Sequence, residues 1–333
     1  MIRSIFLIAL LSNTTVVQGQ KLINKIAFGS CSHEYDEDQM WPEISAEKAD
    51  IFIWTGDIIY GDSNNMDTLA AKYKKQKERA SYQALLEITP IIGIWDDHDY
   101  GANDGGKNYK PKKASKEQLL KFLDVPKNNP VRNHEGMYNV YTYGPEGKRI
   151  KFILLDCRYF RDTLTQDTQT GARYKQNFEG DILGEEQWNW LEHELTNSDA
   201  QLNILVSGIQ ILAEEHGFEK WGNFPKSRAR LIRMVENLKP APTLFISGDR
   251  HIAEISKLRS DKLSYPIYDV TSSGLTHTWS QVWEEKNHLR IGELIIQKNY
   301  GVLEIDWTND SPKVTFLIKG KNSIEYLRHN YEY

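Results

Sequence analysis

Basic charge is in short supply in this chain. Lysine and arginine number 41 against 46 aspartates and glutamates, a net charge of -5, so there is no electrostatic case for a nucleic-acid-binding surface. Cysteine is scarcer: Cys31 and Cys157 are the only two. That excludes a disulfide-rich scaffold and leaves at most one bridge, which an exported protein could form. No apolar stretch approaches the roughly 20 residues that a transmembrane helix needs. Repeats, low-complexity tracts and linkers are also missing, so residues 20–333 are expected to form a single domain. Residues 1–19 read as a secretory signal instead. Arg3 supplies a short basic region, Ile5 to Leu11 an apolar one, and Val17-Gln-Gly19 a small-residue cleavage site, although the polar Ser12 to Thr15 follows closely. No cysteine stands at that junction to accept a lipid. The expectation is a soluble protein, secreted or periplasmic.

What the chain has in quantity is short apolar runs that end in polar clusters. The most telling is Ile51-Phe-Ile-Trp-Thr-Gly-Asp-Ile-Ile-Tyr-Gly-Asp62. Its β-branched start predicts a buried strand, and the chain then breaks at Gly56. Asp57 and Tyr60, three residues apart in the turn that follows, can face one point and are read as metal ligands. Similar strands are expected over 25–29, 91–95, 203–207, 243–247, 251–258, 265–271, 301–307 and 313–318, with a hairpin over 137–143 and 148–155. Helices are expected over 37–50, 66–89, 115–123, 184–197 and 225–238. The long polar stretches 96–113 and 158–181 read as loops. Strand and helix alternate in the first half and strands dominate the last third. This order predicts an α/β fold in which two packed sheets carry helices outside, a four-layer α/β/β/α sandwich.

Five strand ends carry the polar clusters: Cys31-Ser-His33, Asp57 with Tyr60, Asp96-Asp-His-Asp99, Gly208-Ile-Gln210 and Gly248-Asp-Arg-His251. An aspartate after a strand is most often a turn former or a cap. Five such clusters, each after an apolar strand, favour a shared site.

Taken in order, Phe28-Gly-Ser-Cys31, Gly56-Asp-Ile-Ile-Tyr60, Trp95-Asp-Asp-His-Asp99, Leu155-Asp-Cys-Arg158 and Gly248-Asp-Arg-His251 resemble the alkaline phosphatase D (PhoD-type) family of calcineurin-like metallophosphatases. The resemblance covers roughly residues 25–280. It implies the four-layer sandwich and hydrolysis of phosphate mono- or diesters through a metal-bound hydroxide at a binuclear centre of Fe(3+) and Ca(2+). The implied metal ligands are Cys31, Asp57, Tyr60, Asp97, Asp249, His251 and Gln210. A thiolate, a phenolate, a carboxylate and an imidazole make a partly soft anionic site for ferric iron. Asp57 would bridge to a second site that Asp97 and Asp249 harden towards calcium or another divalent cation. Gln210 reads equally well as a core amide. A ligand role for Cys31 argues against the disulfide.

Within that resemblance His98 and Arg158 are the candidate catalytic residues. His98 would serve the leaving oxygen, oriented by Asp96 or Asp99. Arg158 and Arg161 would fork a phosphate, or form surface salt bridges with Asp156 or Asp162. Asn103, His216, Trp221 and Asn223 are placed near the substrate by the composition of their loops, with Trp221 alternatively plugging a core edge. His277, at the end of Ser272-Ser-Gly-Leu-Thr-His277, is a further wall candidate. The expected partners are small-molecule, lipid or polymer phosphate esters. Longer family members carry an N-terminal β-sandwich, and some a C-terminal helical lid. Neither is suggested here, which implies a more open cleft. The rival readings are a non-catalytic, metal-stabilised binding protein of the same fold and a metal-free acid/base hydrolase.

Overall fold

Uninterrupted apolar runs become buried strands, and the polar residues after them become the loops of one edge. A computed structural model describes residues 21–281, 285–309 and 311–331; the signal expected over 1–19 lies outside them. The first elements are β1 (Lys25–Gly29), α1 (Trp41–Ala46), β2 (Ile51–Thr55), α2 (Met66–Lys77), α3 (Ala80–Ile88), β3 (Ile91–Ile94), α4 (Asp97–Tyr100) and α5 (Lys112–Phe122). There follow β4 (Asn139–Tyr143), β5 (Ile150–Leu154), β6 (Thr165–Gln166), β7 (Tyr174–Lys175), α6 (Gly184–Thr196), β8 (Leu202–Ser207), α7 (Pro225–Leu238) and β9 (Thr243–Ser247). The last third is β10 (Ala253–Leu258), β11 (Ile267–Ser272), β12 (Arg290–Ile295), β13 (Tyr300–Asp306), β14 (Lys313–Lys319) and β15 (Glu325–Asn330). Among the described residues no helix is long and apolar enough to cross a membrane.

One sheet has the order β15-β14-β13-β1-β2-β3 and the other β12-β10-β11-β9-β8-β5-β4, with β6 and β7 a separate ribbon. β1, β2 and β3 are parallel neighbours, as are β5, β8, β9 and β11. Their carboxyl ends therefore open in common directions, where such sheets present their loops.

Alternation along the strands builds the layers. In the second sheet Phe152 and Leu154, Ile204 and Val206, and Leu244 and Ile246 join the core shared with the first sheet. Their neighbours Ile153, Leu205 and Phe245 join a second core with Trp188 and Leu191 of α6 and Leu231 and Val235 of α7. Across the first sheet, Trp41 of α1 meets Phe52 and Trp54 edge-on, and Tyr82 of α3 closes the cluster. Helices thus cover both outer faces, giving the expected four-layer sandwich.

Some local expectations change. The helix expected over 66–89 breaks at Arg79, which is extended (ψ 124°). Its guanidinium reaches the Glu34 carbonyl at 2.9 Å and the Glu37 carboxylate at 3.2 Å. The helix expected over 37–50 shortens to Trp41–Ala46, and Lys48 takes a left-handed turn. Cys31 and Cys157 are both buried and unbridged.

Candidate metal centre

Four loops meet at one place because their backbones turn sharply where the strands end. Cys31 follows β1, Asp57 follows β2, and Asp249 and His251 follow β9. All four adopt positive φ, at 59°, 50°, 70° and 54° respectively. Left-handed backbone at non-glycine residues costs of the order of 1–3 kcal/mol each and persists where the surroundings dictate it, commonly at functional sites. Glycine permits the approach of the neighbouring loops. A Cβ on Gly56 (φ 92°) would lie 2.3 Å from the Asp96 Cβ, and one on Gly208 would lie 2.2 Å from the Asp96 Oδ1. Gly56→Ala is therefore expected to lower stability by roughly 2–4 kcal/mol, read as an earlier urea midpoint. An unchanged midpoint would show that the Asp96 loop yields freely.

The convergence has Asp57 at its centre. Ligand atoms of Cys31, Asp57 and His251 lie within 4.8 Å of one another, as do those of Asp57, Asp97 and His98, and those of Asp57, Asp96, Asp97 and Asp249. The Cys31 thiol donates to the Asp57 Oδ2 at 3.4 Å. The Tyr60 hydroxyl joins this group 3.0 Å from the His251 Nε2 and 2.9 Å from the His277 Nε2. Of the seven expected ligands, six are thus brought together. The Gln210 amide nitrogen donates to Glu254 at 2.7 Å and to Thr271 at 2.9 Å, as a core amide would, while its Oε1 is buried with no partner, as a ligand oxygen would be.

The acids in this buried place outnumber the cations beside them: Arg158 pairs with Asp96, and against burial His98 and then Arg158 hold Asp97 down at about 2. Burial, then the Asp97 carboxylate, pushes the Asp57 carboxyl well up and takes Asp249 to about 8. Burial, then Asp57 and Asp249, raises the Cys31 thiol. Burial, then the neighbouring His277 and Arg250, lowers His251 to about 3, which keeps the imidazole neutral with a lone pair to give. The Asp57 Oδ1 and Asp96 Oδ2 are buried with no hydrogen-bond partner. Orphaned carboxylate oxygens beside a thiol, a phenol and a neutral imidazole fit bound cations. These residues could hold a metal pair: Cys31, Tyr60, His251 and Asp57 on one side, Asp57, Asp97 and Asp249 on the other.

His98 lies at the edge of this cluster. Its Nδ1 is 2.8 Å from the Asp62 Oδ2, and its ring centroid is 4.2 Å from that of Tyr60. Burial opposes its charge, but Asp97 and the Asp62 bond together raise it to about 10. The carboxylate on the imidazole is therefore Asp62, neither Asp96 nor Asp99. Asp99 instead accepts from the backbone N–H groups of Asp96 at 2.6 Å and of Asp57 and Ile58 at 3.3 Å, stitching the β2 loop to the β3 loop.

The two arginines are committed to the protein. Arg158 is wholly buried. Its Nε donates to the Asp96 Oδ1 at 2.7 Å and one terminal nitrogen donates to the Glu219 Oε2 at 2.7 Å. Arg161 is paired with Glu219 at 2.9 Å and donates to the carbonyls of Asp162 and Gly105. Neither offers a free fork to a phosphate, and neither pairs at the surface. Trp221 is fully buried, donates to the Ser207 hydroxyl and meets Trp188 edge-on in the second core. His216 is also buried, its Nδ1 accepting from the Phe218 N–H and its Nε2 without a partner, so neither side chain is open to solvent. The Asn223 carboxamide accepts from the Lys220 N–H.

Asn103 is exposed and donates to Asp104, whose own N–H donates to the Asp97 Oδ2 at 2.6 Å. That loop borders a cleft of about 400 Å3 lined by Asn103, Lys107, Tyr109, Arg173 and Tyr174, among others. Sequence reasoning gave no role to Asp62, Glu219 or Glu34, the last accepting from the Tyr60 N–H at 3.0 Å. Asp62 alone had a visible signal, closing the same strand-end motif two residues after Tyr60.

Comparison with known proteins places this arrangement. The PhoD-like phosphatase family model matches residues 26–284. Alkaline phosphatase D of Bacillus subtilis (strain 168) is 23% identical over 295 residues, 76% of this chain and 50% of that protein. The chain thus spans about half the length of that curated relative. A solved structure of PhoD superposes with a TM-score of 0.68 at 16% identity, covering 94% of this chain and 72% of that one, a likeness of fold. With the family's pattern matched across most of its length, the chain belongs to the PhoD-like phosphatase family.

Proposed function

We propose that the protein is an exported phosphoesterase that hydrolyses phosphate mono- or diesters at a binuclear centre of the Fe(3+)/Ca(2+) type. The observation that carries this reading is the meeting of Cys31, Asp57, Tyr60, Asp97, Asp249 and His251 around buried carboxylate oxygens that have no protein partner. Export rests on the pattern of residues 1–19. Bound there, the two cations would supply Lewis acidity towards the phosphate oxygens and a nucleophile at neutral pH. Cys31, Tyr60 and His251 would hold the softer ion, Asp97 and Asp249 the harder one, and Asp57 would serve both. Asp99, through three backbone N–H groups, fixes the loops that carry Asp57 and Asp97. Asp62 holds the Nδ1 of His98, leaving Nε2 as the atom that gives a proton to the departing alkoxide.

The test is turnover of p-nitrophenyl phosphate and bis-p-nitrophenyl phosphate by protein loaded with iron and calcium, with metal analysis alongside. Activity lost on chelation and restored by metal supports the reading. Hydrolysis of neither ester by fully loaded protein would favour the metal-stabilised binding protein, and full activity after both metals are removed would favour metal-free acid/base chemistry. His98→Ala is expected to reduce kcat by roughly 10²–10⁴-fold with metal stoichiometry retained. Loss of metal in parallel would make His98 a ligand instead of a proton donor.

A further inference from the structure

We propose that Trp279 and Phe218 form a shelf beside the metal centre that receives the flat organic group, aryl or nucleobase, of a phosphate ester. Trp279 is a large apolar side chain left 38% exposed, and it is fastened to the loop that carries His251. Its backbone N–H donates to the His251 carbonyl at 3.2 Å and its indole Nε1 to the Arg250 carbonyl at 2.8 Å. The indole centroid lies 5.4 Å from that of the His251 ring and 5.6 Å from that of Phe218. Phe218 is fixed in turn by the Arg250 guanidinium, 4.3 Å from its ring centroid, and Arg250 is itself paired with Glu285.

The polar edge of the indole is therefore satisfied by the protein while much of its apolar surface is left to solvent. Solvation opposes that arrangement unless something covers the ring in use. Both rings are already ordered, so a ligand stacking on them loses little further conformational freedom. Their place beside His251 puts them within a few bonds of a phosphorus held at the centre. In this respect the shelf rests on the phosphoesterase reading. The cleft along Asn103, Lys107 and Arg173 also carries Tyr109 and Tyr174, but its lining includes no residue of the His251 loop. An aromatic face is recognised by stacking whatever its substituents, so aryl and nucleobase groups are equivalent chemistry here.

The experiment measures phosphonate binding to the metal-loaded protein by calorimetry, independently of turnover. Phenylphosphonate should bind tighter than methylphosphonate, and Trp279→Ala should weaken the phenyl ligand by roughly tenfold while methylphosphonate changes less than about twofold. Trp279→Phe, which keeps a ring but not the Nε1 bond, should retain most of the phenyl advantage. A second pair, KM for thymidine 5′-phosphate against ribose 5-phosphate, reports whether a base uses the same shelf. An advantage for the flat member of either pair, removed by Trp279→Ala, supports the proposal. No advantage in either pair, or equal weakening of flat and non-flat ligands in the variant, overturns it. A protein that binds the phosphonates with the expected selectivity yet turns over no ester would retire the phosphoesterase reading and leave the shelf standing.

Discussion

Asp57→Asn is expected to abolish ester hydrolysis, by at least roughly 10³-fold in kcat, and to release metal from both sides of the centre. Asp57 belongs to every group of ligand atoms that converges there. One of its oxygens accepts from Cys31 and the other is buried without a partner. Asparagine isolates the charge. It has nearly the same shape, and it tolerates the left-handed backbone that this position adopts, so the loop can keep its course. What is lost is the negative charge that both sides of the centre would share. Thermal melts separate this from simple misfolding. Without metal, the variant should melt no lower than the wild type, because an uncharged amide avoids the burial of a carboxylate and the crowding with Asp97 that together push the Asp57 carboxyl up. With metal at a thousand times its dissociation constant, the wild type should gain about 4 kcal/mol and the variant almost nothing. Full metal stoichiometry in Asp57→Asn would contradict the bridging role.

The parts of this centre that were legible in the sequence are those whose neighbours are local. Ile51 to Trp54 is a run that only a buried strand accommodates, and the residues just past its end had to lie at a sheet edge. The same logic located Cys31, Asp97, Asp249 and His251. It failed where the deciding partner is remote. Arg158 is a cation after a strand in any reading, but its partners Asp96 and Glu219 are 62 and 61 residues away in sequence. Nothing local distinguishes a substrate fork from a buried clamp. Trp221 similarly sits in a loop rich in polar residues and glycine, yet meets Trp188 in the second core. Four strands escaped notice: Arg290–Ile295 and Glu325–Asn330 lie half-exposed at sheet edges, where charged side chains replace the apolar alternation, and Thr165–Gln166 and Tyr174–Lys175 are too short to show one. The four-residue helix Asp97–Tyr100 is too short to show a period. The Asp99 carboxylate, accepting from the Asp96 N–H at 2.6 Å, ties its first turn.

Removing the clamp should have the largest effect on stability. Arg158→Met deletes the guanidinium that reaches both Asp96 and Glu219, all three wholly or almost wholly buried. Methionine fills the volume but leaves Asp96 with no countercharge among Asp57, Asp97 and Asp249, whose charges already oppose its own. Breaking one side of a buried ion pair costs about 3–5 kcal/mol, equivalent to a fall of roughly 4–7 °C in the melting temperature. Glu219 is spared part of this loss because Arg161 still pairs with it at 2.9 Å. Arg158→Lys should fall between, since a single ammonium restores charge but cannot span two carboxylates as the planar fork does. A phosphate-binding arginine would behave in the opposite way. Its removal would raise KM several-fold and leave the metal-free protein as stable as before, because a side chain waiting for substrate would contribute little to the resting fold. The comparison of melting temperature with KM across Arg158→Lys and Arg158→Met therefore decides between the two roles, and the distances around Asp96 place the expected loss in the fold.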